Sequence, residues 1–160
     1  MDGAFILRQA CAGDEQVILQ FIHELAEYEK LSHQVSVTTE LLRGALFGAS
    51  PQAEALIAEG GAQAIGYALW FFIFDSFTGK SNLFVEDLFV ALPSRGLGVG
   101  RAIFRRLARR AVERGCAGMA WKVLDWNAAG IGFYRRLGAA PDPGWTIYGV
   151  EGPALTALAA

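Results

Sequence analysis

Two cysteines, two histidines and five prolines are thinly spread through 160 residues, and each scarcity closes off a class of protein. Cys11 and Cys116 make no metal-ligand spacing with each other or with His23 and His33, so no metal is expected, and both thiols read as buried and reduced. No apolar run reaches the ~18 residues of a membrane span. Met1 to Ala10 lacks a positive segment followed by an apolar one, which points to a cytoplasmic chain without a signal peptide. Pro- and Ser-rich tracts and internal repeats are absent. With 53% hydrophobic and 19% charged residues, the chain is too apolar for disorder and long enough for one core, so residues 1–160 read as a single domain.

The net charge of −2 hides an asymmetry. Residues 1–80 hold ten of the 16 acids and four of the 14 bases, net −6, and the remainder is net +4. Such a split hints at two chemically different partners.

Hydrophobic periodicity gives the order of elements. Ala4 to Gln9 reads as a strand, and Asp14 as the N-cap of a helix carrying Val17, Ile18, Phe21, Ile22, Leu25 and Tyr28. A weaker helix follows Thr38 or Thr39 to Leu46. Ala55–Ala58 and Ala64–Phe74 are strands joined at Gly60-Gly61, Asp75–Lys80 is a turn, and Leu83–Val90 is a third strand of this group. Residues 99–112 form the clearest helix, with an apolar stripe of Ile103, Phe104, Leu107, Ala108, Ala111 and Val112 opposite six arginines. Met119–Leu124 is a strand, Asn127 caps a helix running to Leu137, and Trp145–Val150 is a last strand. The class is α+β, an α/β sandwich with a mixed sheet and helices on its faces.

Three segments carry chemistry. In Arg95-Gly96-Leu97-Gly98-Val99-Gly100, glycines allow close backbone approach and the following helix start offers free N–H groups, an anion site suited to phosphate. Arg101 stands where a Walker Lys or a third dinucleotide Gly would be, so neither of those loops fits, and a plain glycine turn is the competing reading. Glu86-Asp87 puts two carboxylates in an apolar strand, where they should face a cleft, a bulge or a cation; strand alternation lets only one of them reach a given site. Asn127 and Tyr134 lie two helical turns apart and share a face, which by itself reads as core.

In this order and spacing, the Glu86-Asp87-Leu88-Phe89-Val90 strand, the Arg95–Gly100 loop, Trp126-Asn127 and Gly132-Phe133-Tyr134 resemble the GNAT superfamily of N-acetyltransferases. Leu25-Ala26-Glu27-Tyr28-Glu29, Asp75 with Phe77 and Gly79-Lys80, and Gly138-Ala139 are further marks of the likeness, and Tyr28-Glu29, Glu86-Asp87 and Trp126-Asn127 narrow it to the diamine (spermidine/spermine) and thialysine N-acetyltransferases. The resemblance implies a mostly antiparallel sheet of six to seven strands, about four helices and a splayed central strand pair. It implies acetyl-CoA as co-substrate, no metal, a small cationic amine as substrate, a homodimer, and no nucleic-acid or membrane partner.

Carried residue by residue, it makes Gly96, Leu97, Gly98, Val99, Gly100 and Arg101, with Arg95, the pyrophosphate loop. Leu88, Phe89 and Val90 offer main-chain groups to the pantetheine arm, and Asn127, Ala129 and Gly130 contact the cofactor's far side. Tyr134 matches the proton donor to the leaving thiolate, and Glu86 the base. Tyr28, Glu29, Asp75, Glu86 and Lys122 line the amine site. Transfer is implied to be direct, with no acyl-enzyme on Cys116. The stretch from Pro141 to Gly144 is shortened and lacks a Glu, and Phe77 stands where the family often has Trp; both bear on substrate choice. Alternatives are an amino-acid or protein-amine acetyltransferase, a non-catalytic acyl-CoA binder, and a nucleic-acid binder using the arginine face, although an acidic chain gives that last reading poor footing.

Overall fold

The computed structural model describes residues 5–160, so Ala4 of the expected first strand lies outside the described residues. The chain divides into two compact units, the first ending at Leu124 and the second running from Asp125 to Ala160. In the first unit, strands β1 (Phe5–Gln9), β2 (Glu54–Gly60), β3 (Gln63–Asp75), β4 (Lys80–Val90) and β5 (Gly118–Trp121) form a sheet in the order β1-β2-β3-β4-β5. Neighbours are antiparallel except for β4 and β5, which run parallel and are joined through helix α3 (Val99–Glu113). Helices α1 (Glu15–Glu29) and α2 (Thr39–Phe47) complete this unit.

Antiparallel strands commonly leave one face to water and then alternate polar with apolar. The continuous apolar runs in β2 and β3 instead require cover on both faces. Leu56, Ala58, Ala68, Trp70, Leu83 and Val85 pack against Ile103, Leu107 and Ala111 of α3. Ala55, Ile57, Tyr67 and Phe89 turn the other way, onto Ile18 and Phe21 of α1 and Leu42 and Leu46 of α2. The buried stripe of α3 is Val99, Ile103, Phe104, Leu107 and Ala111. Val112, expected within that stripe, is 79% exposed, since the helix meets the sheet along a narrower seam than its apolar composition suggests.

Asp14 holds the N-cap position but does not cap. Its backbone is helical (φ −84°, ψ −3°) and its carboxylate is taken by the Arg8 guanidinium at 2.7 and 2.8 Å and by the Cys11 N–H at 2.8 Å. Thr38 does cap α2, accepting from the Leu41 N–H at 3.3 Å. Cys11 is exposed and Cys116 half-buried, both free, so the expectation of two buried thiols is corrected: the loop after β1 carries Cys11 along the surface.

The second unit contains helices α4 (Ala128–Arg136) and α5 (Gly152–Leu158). Asn127 caps α4 as expected, its Oδ1 accepting from the Gly130 N–H at 3.0 Å. A Cβ at position 130 would come within 2.8 Å of that amide, so the cap itself demands the glycine. Trp145–Val150 is not a strand: its residues join no ladder, and an extended segment becomes a strand only when a neighbour takes up its N–H and C=O groups. The apolar stretch from Pro153 to Ala160 is mostly α5. Among the described residues the sheet therefore has five strands rather than six or seven, and the two units together hold five α-helices rather than four, within the same α+β class.

The Arg8–Asp14 fork, reinforced by Glu59 at 2.7 Å from Arg8 Nε, holds the Asp14 carboxyl down at about 2. Asp14→Asn is expected to cost about 1–3 kcal/mol at pH 7, measured by denaturant unfolding. A group depressed in the fold contributes above its unfolded pKa and loses that contribution as pH falls towards 2, so parent and variant should converge between pH 4 and 2.

Candidate active site

The candidate site is built around one irregularity in β4. Leu69 pairs with Asp87 and Trp70 with Val85, leaving Glu86 as an extra residue opposite no partner on β3. The bulge reverses the side-chain phase. Leu83 and Val85 face α3 before it; Leu88 and Val90 face α3 after it, with Phe89 on the α1 side. The expectation that Glu86 and Asp87 point to opposite faces is thereby corrected, because in a bulge the two consecutive residues share one side.

Asp87 accepts a hydrogen bond from the Tyr67 hydroxyl at 2.7 Å. Tyr67 is fully buried, stacked on Phe21 with ring centroids 5.4 Å apart. Burial, then the Asp87 charge, pushes its hydroxyl well above the ordinary tyrosine range, so it remains a donor. Burial also raises the Asp87 carboxyl, against the Tyr67 hydrogen bond, and the neighbouring Glu86 charge raises it further. Glu29, the last residue of α1, is raised by burial and by the Asp87 charge. Lys122, just beyond β5, brings Nζ to 4.0 Å from Glu86 Oε1.

Glu29 ends α1 because Lys30 turns left-handed (φ 62°), its N–H bonding the Glu27 carbonyl while the Leu31 N–H bonds that of Ala26. A carboxylate in the last turn opposes the helix dipole. A cation bound beside it offsets that cost. Glu29, Glu86 and Asp87 thus form an acidic cluster with Lys122 as its basic member.

The other half of the site begins where the sheet opens. The β4–β5 ladder ends at the Val85–Trp121 pair, while β4 continues to Val90. On that side, the main chain of Leu88, Phe89 and Val90 has no strand partner among the described residues, which is the splayed pair. The Val90 carbonyl already accepts from Arg95 Nε at 2.9 Å and keeps one lone pair. The Arg95 guanidinium lies 5.0 Å from the Tyr28 ring centroid and 5.5 Å from that of Phe89, so it ties the loop to α1 and β4.

Beyond Arg95, Gly96 (φ 81°) and Gly98 (φ 84°) hold left-handed backbone that other residues adopt at a cost, and Cβ atoms there would point into open space. The α3 ladder begins with Ala102 N–H to the Gly98 carbonyl at 3.0 Å, and no side chain caps the helix. The N–H groups of Val99, Gly100 and Arg101 therefore remain at the helix start, where the dipole favours an anion. This cradle fits the pyrophosphate of a coenzyme A thioester. Val99 is 1% exposed and contributes only its backbone there, while Leu97 is 57% exposed.

Two expected site residues need placing apart. Asp75 sits at the β3–β4 hairpin, its carboxylate accepting from the Phe77 N–H and the Thr78 hydroxyl, both at 2.9 Å. It lies five residues from Trp70 along β3, about 17 Å at strand rise, so the first unit does not bring it to the acidic cluster. Tyr134 belongs to α4, with its ring 5.3 Å from that of Phe133. Tyr67 and Asp87 were missed as a pair; a lone Tyr in an apolar strand opposite the second of two adjacent carboxylates was the available signal.

Residues 19–139 match the acetyltransferase (GNAT) family model. The chain belongs to the GNAT acetyltransferase family. A thialysine N-epsilon-acetyltransferase from Sus scrofa is 39% identical over 96% of each chain. Spermidine/spermine N(1)-acetyltransferase-like protein 1 from Homo sapiens is 36% identical over 90% of this chain and 22% of its own length. An integron cassette protein from the mobile metagenome of V. cholerae superposes with a TM-score of 0.81, covering 97% of each chain at 21% identity, which shows the shared fold. This GNAT chain is an acyltransferase that acts on amines, and enzymes of its family take acetyl-CoA as co-substrate. Among the described residues, no helix is long and apolar enough to cross a membrane.

Tyr67→Phe deletes the donor to a buried carboxylate, so it should cost about 1–3 kcal/mol at pH 7 by denaturant unfolding. The loss should shrink as pH falls through the raised Asp87 pKa, because the protonated acid no longer needs that donor. A loss independent of pH would show that the hydroxyl serves packing alone.

Proposed function

We propose that the whole chain is one N-acetyltransferase domain that acetylates a primary amine of a small diamine or polyamine with acetyl-CoA by direct transfer. The observation that carries this reading is the acidic cluster of Glu29, Glu86 and Asp87 at the same bulge where β4 parts from β5. Acetyl-CoA supplies an acetyl group activated as a thioester. Gly96 to Arg101 would hold its pyrophosphate through backbone N–H groups, and Leu88 to Val90 its pantetheine arm. Asn127, Ala129 and Gly130 are assigned to the cofactor by their place in the family motif; within α4, the Asn127 Oδ1–Gly130 N–H bond is already committed to the cap.

An alkylammonium of pKa about 10.4 is neutral in only about one molecule in 2,500 at pH 7, and only the neutral amine attacks. Glu86 receives that proton, directly or through water. Glu29 and Asp87 hold the cation, with the aromatic face of Tyr28 beside Arg95 as a wall. Tyr134 Oη holds a proton for the departing sulfur, a role resting on the family motif. Asp75, whose carboxylate is taken up by the hairpin turn, is left out of the amine site. The enzyme works as a cytoplasmic homodimer, without nucleic-acid or membrane partners and without a metal.

A second reading takes a thialysine- or lysine-like amino acid as substrate. Lys122 favours it, since a cation 4.0 Å from Glu86 can pair with a substrate carboxylate, and so do the printed names of the relatives. Rates on putrescine, spermidine, thialysine, lysine and a lysine peptide, followed by free thiol release, separate the two. Highest kcat/KM on spermidine or putrescine is expected; preference for thialysine, lost in Lys122→Ala, would establish the second reading. Release of no thiol with any amine, despite coenzyme binding, would leave an acyl-CoA binder.

Tyr134→Phe should lower turnover roughly 10²-fold with coenzyme affinity nearly unchanged, measured by steady-state kinetics and calorimetry. Unaltered turnover removes the tyrosine from the mechanism.

A further inference from the structure

The arginine face of α3 has no part in the acyl-transfer reading beyond the loop at its start. On the α3 side of the sheet, the later turns of this helix and the strands β1 to β3 line an open cleft of about 380 Å³. Its wall includes Glu54 of β2, Trp70 of β3, and Arg106, Arg109, Arg110 and Glu113 of α3. Arg110 Nη2 binds both Glu54 oxygens, at 3.1 and 3.2 Å, so that pair is largely self-neutralised. Arg106 and Arg109 have no hydrogen-bond or ion-pair partner among the described residues. Trp70 is 2% exposed, and its Nε1–H is buried without an acceptor.

Buried N–H groups normally find an acceptor because leaving one unmade is costly. The charge around this cleft is lopsided: with Arg110 and Glu54 paired, the guanidiniums of Arg106 and Arg109 face one carboxylate, Glu113, and the neutral amide of Gln9. A solvated arginine stripe explains exposed guanidiniums; here two of them also line a cleft whose inner wall includes the buried Trp70. Guanidinium forks match the paired oxygens of carboxylates and phosphates. Arg106 lies eight residues from Gly98, about 12 Å along the helix, so this anion position is separate from the coenzyme loop.

We propose that this cleft is a second anion site, taking a small oxyanion with two or more negative charges on Arg106 and Arg109, with Trp70 in its inner wall. The chemistry is shared by phosphates and polycarboxylates, and two titrations distinguish them. With the enzyme saturated with coenzyme A so that the glycine loop is filled, inorganic phosphate and citrate are titrated by calorimetry into the parent and into an Arg106→Gln/Arg109→Gln variant. Saturable binding of at least one probe is expected, weakened tenfold or more in the variant, while the variant's acetyl-transfer rate without added anion stays at the parent value and shows that it is folded. The probe that binds identifies the oxyanion class. Binding of neither probe to the parent, or equal affinity in the variant, would overturn the proposal.

Discussion

One extra residue in β4 organises the site. Without the bulge at Glu86, strand alternation would send Asp87 towards α3, among Ile103, Leu107 and Val99, where a carboxylate has no partner and a high desolvation cost. With it, Asp87 meets the Tyr67 hydroxyl, Glu86 joins it on the same side, and Leu88 and Val90 take over the α3 face. The aromatic layer of Phe21, Tyr67 and Phe89 supports this arrangement from the α1 side, with Phe21 and Phe89 centroids 5.9 Å apart. The same stretch of β4 is where pairing with β5 stops. The bulge therefore sets the carboxylates beside the open main chain of β4.

The opposing charges of the two parts of the sequence resolve into local fields of unequal purpose. Acid at the end of α1 and in β4 converges on one cluster, where Lys122 Nζ stands 4.0 Å from Glu86 Oε1. Other acids of the first 80 residues are structural: Asp14 and Glu59 hold Arg8, Glu15 holds Arg43 at 2.9 Å, and Asp75 shapes a turn. On the basic side, Arg95 is spent on joining the loop to Tyr28 and Phe89, and the anion cradle is made of backbone rather than side chains. Net charge by sequence half thus overstates both the acidic cluster and the anion cradle.

Helices α1 to α4 were legible because their signals are local. The stripe in α3, the Thr38 and Asn127 caps and the glycine ahead of α3 act within one or two turns, and the observed bounds follow them. Asp14 was misread because a distant residue, Arg8, competes for the same carboxylate, and capping rules do not see across a loop. Trp145–Val150 has strand composition, yet strandness is a property of pairs, and no ladder forms there. The Glu86-Asp87 alternation failed for the related reason that a bulge is defined by the register of two strands, not by either one.

By itself, then, the sequence determined the α+β class, the order of elements, the glycine loop before an arginine-faced helix and the family to which these belong, since each follows from short-range periodicity and backbone chemistry. Tertiary structure alone decided which carboxylate is buried against a tyrosine, which arginine is committed to Glu54, where the sheet opens and that Asp75 stands away from the cluster. Those are outcomes of register and packing between segments 20 to 56 residues apart, and no local pattern encodes them.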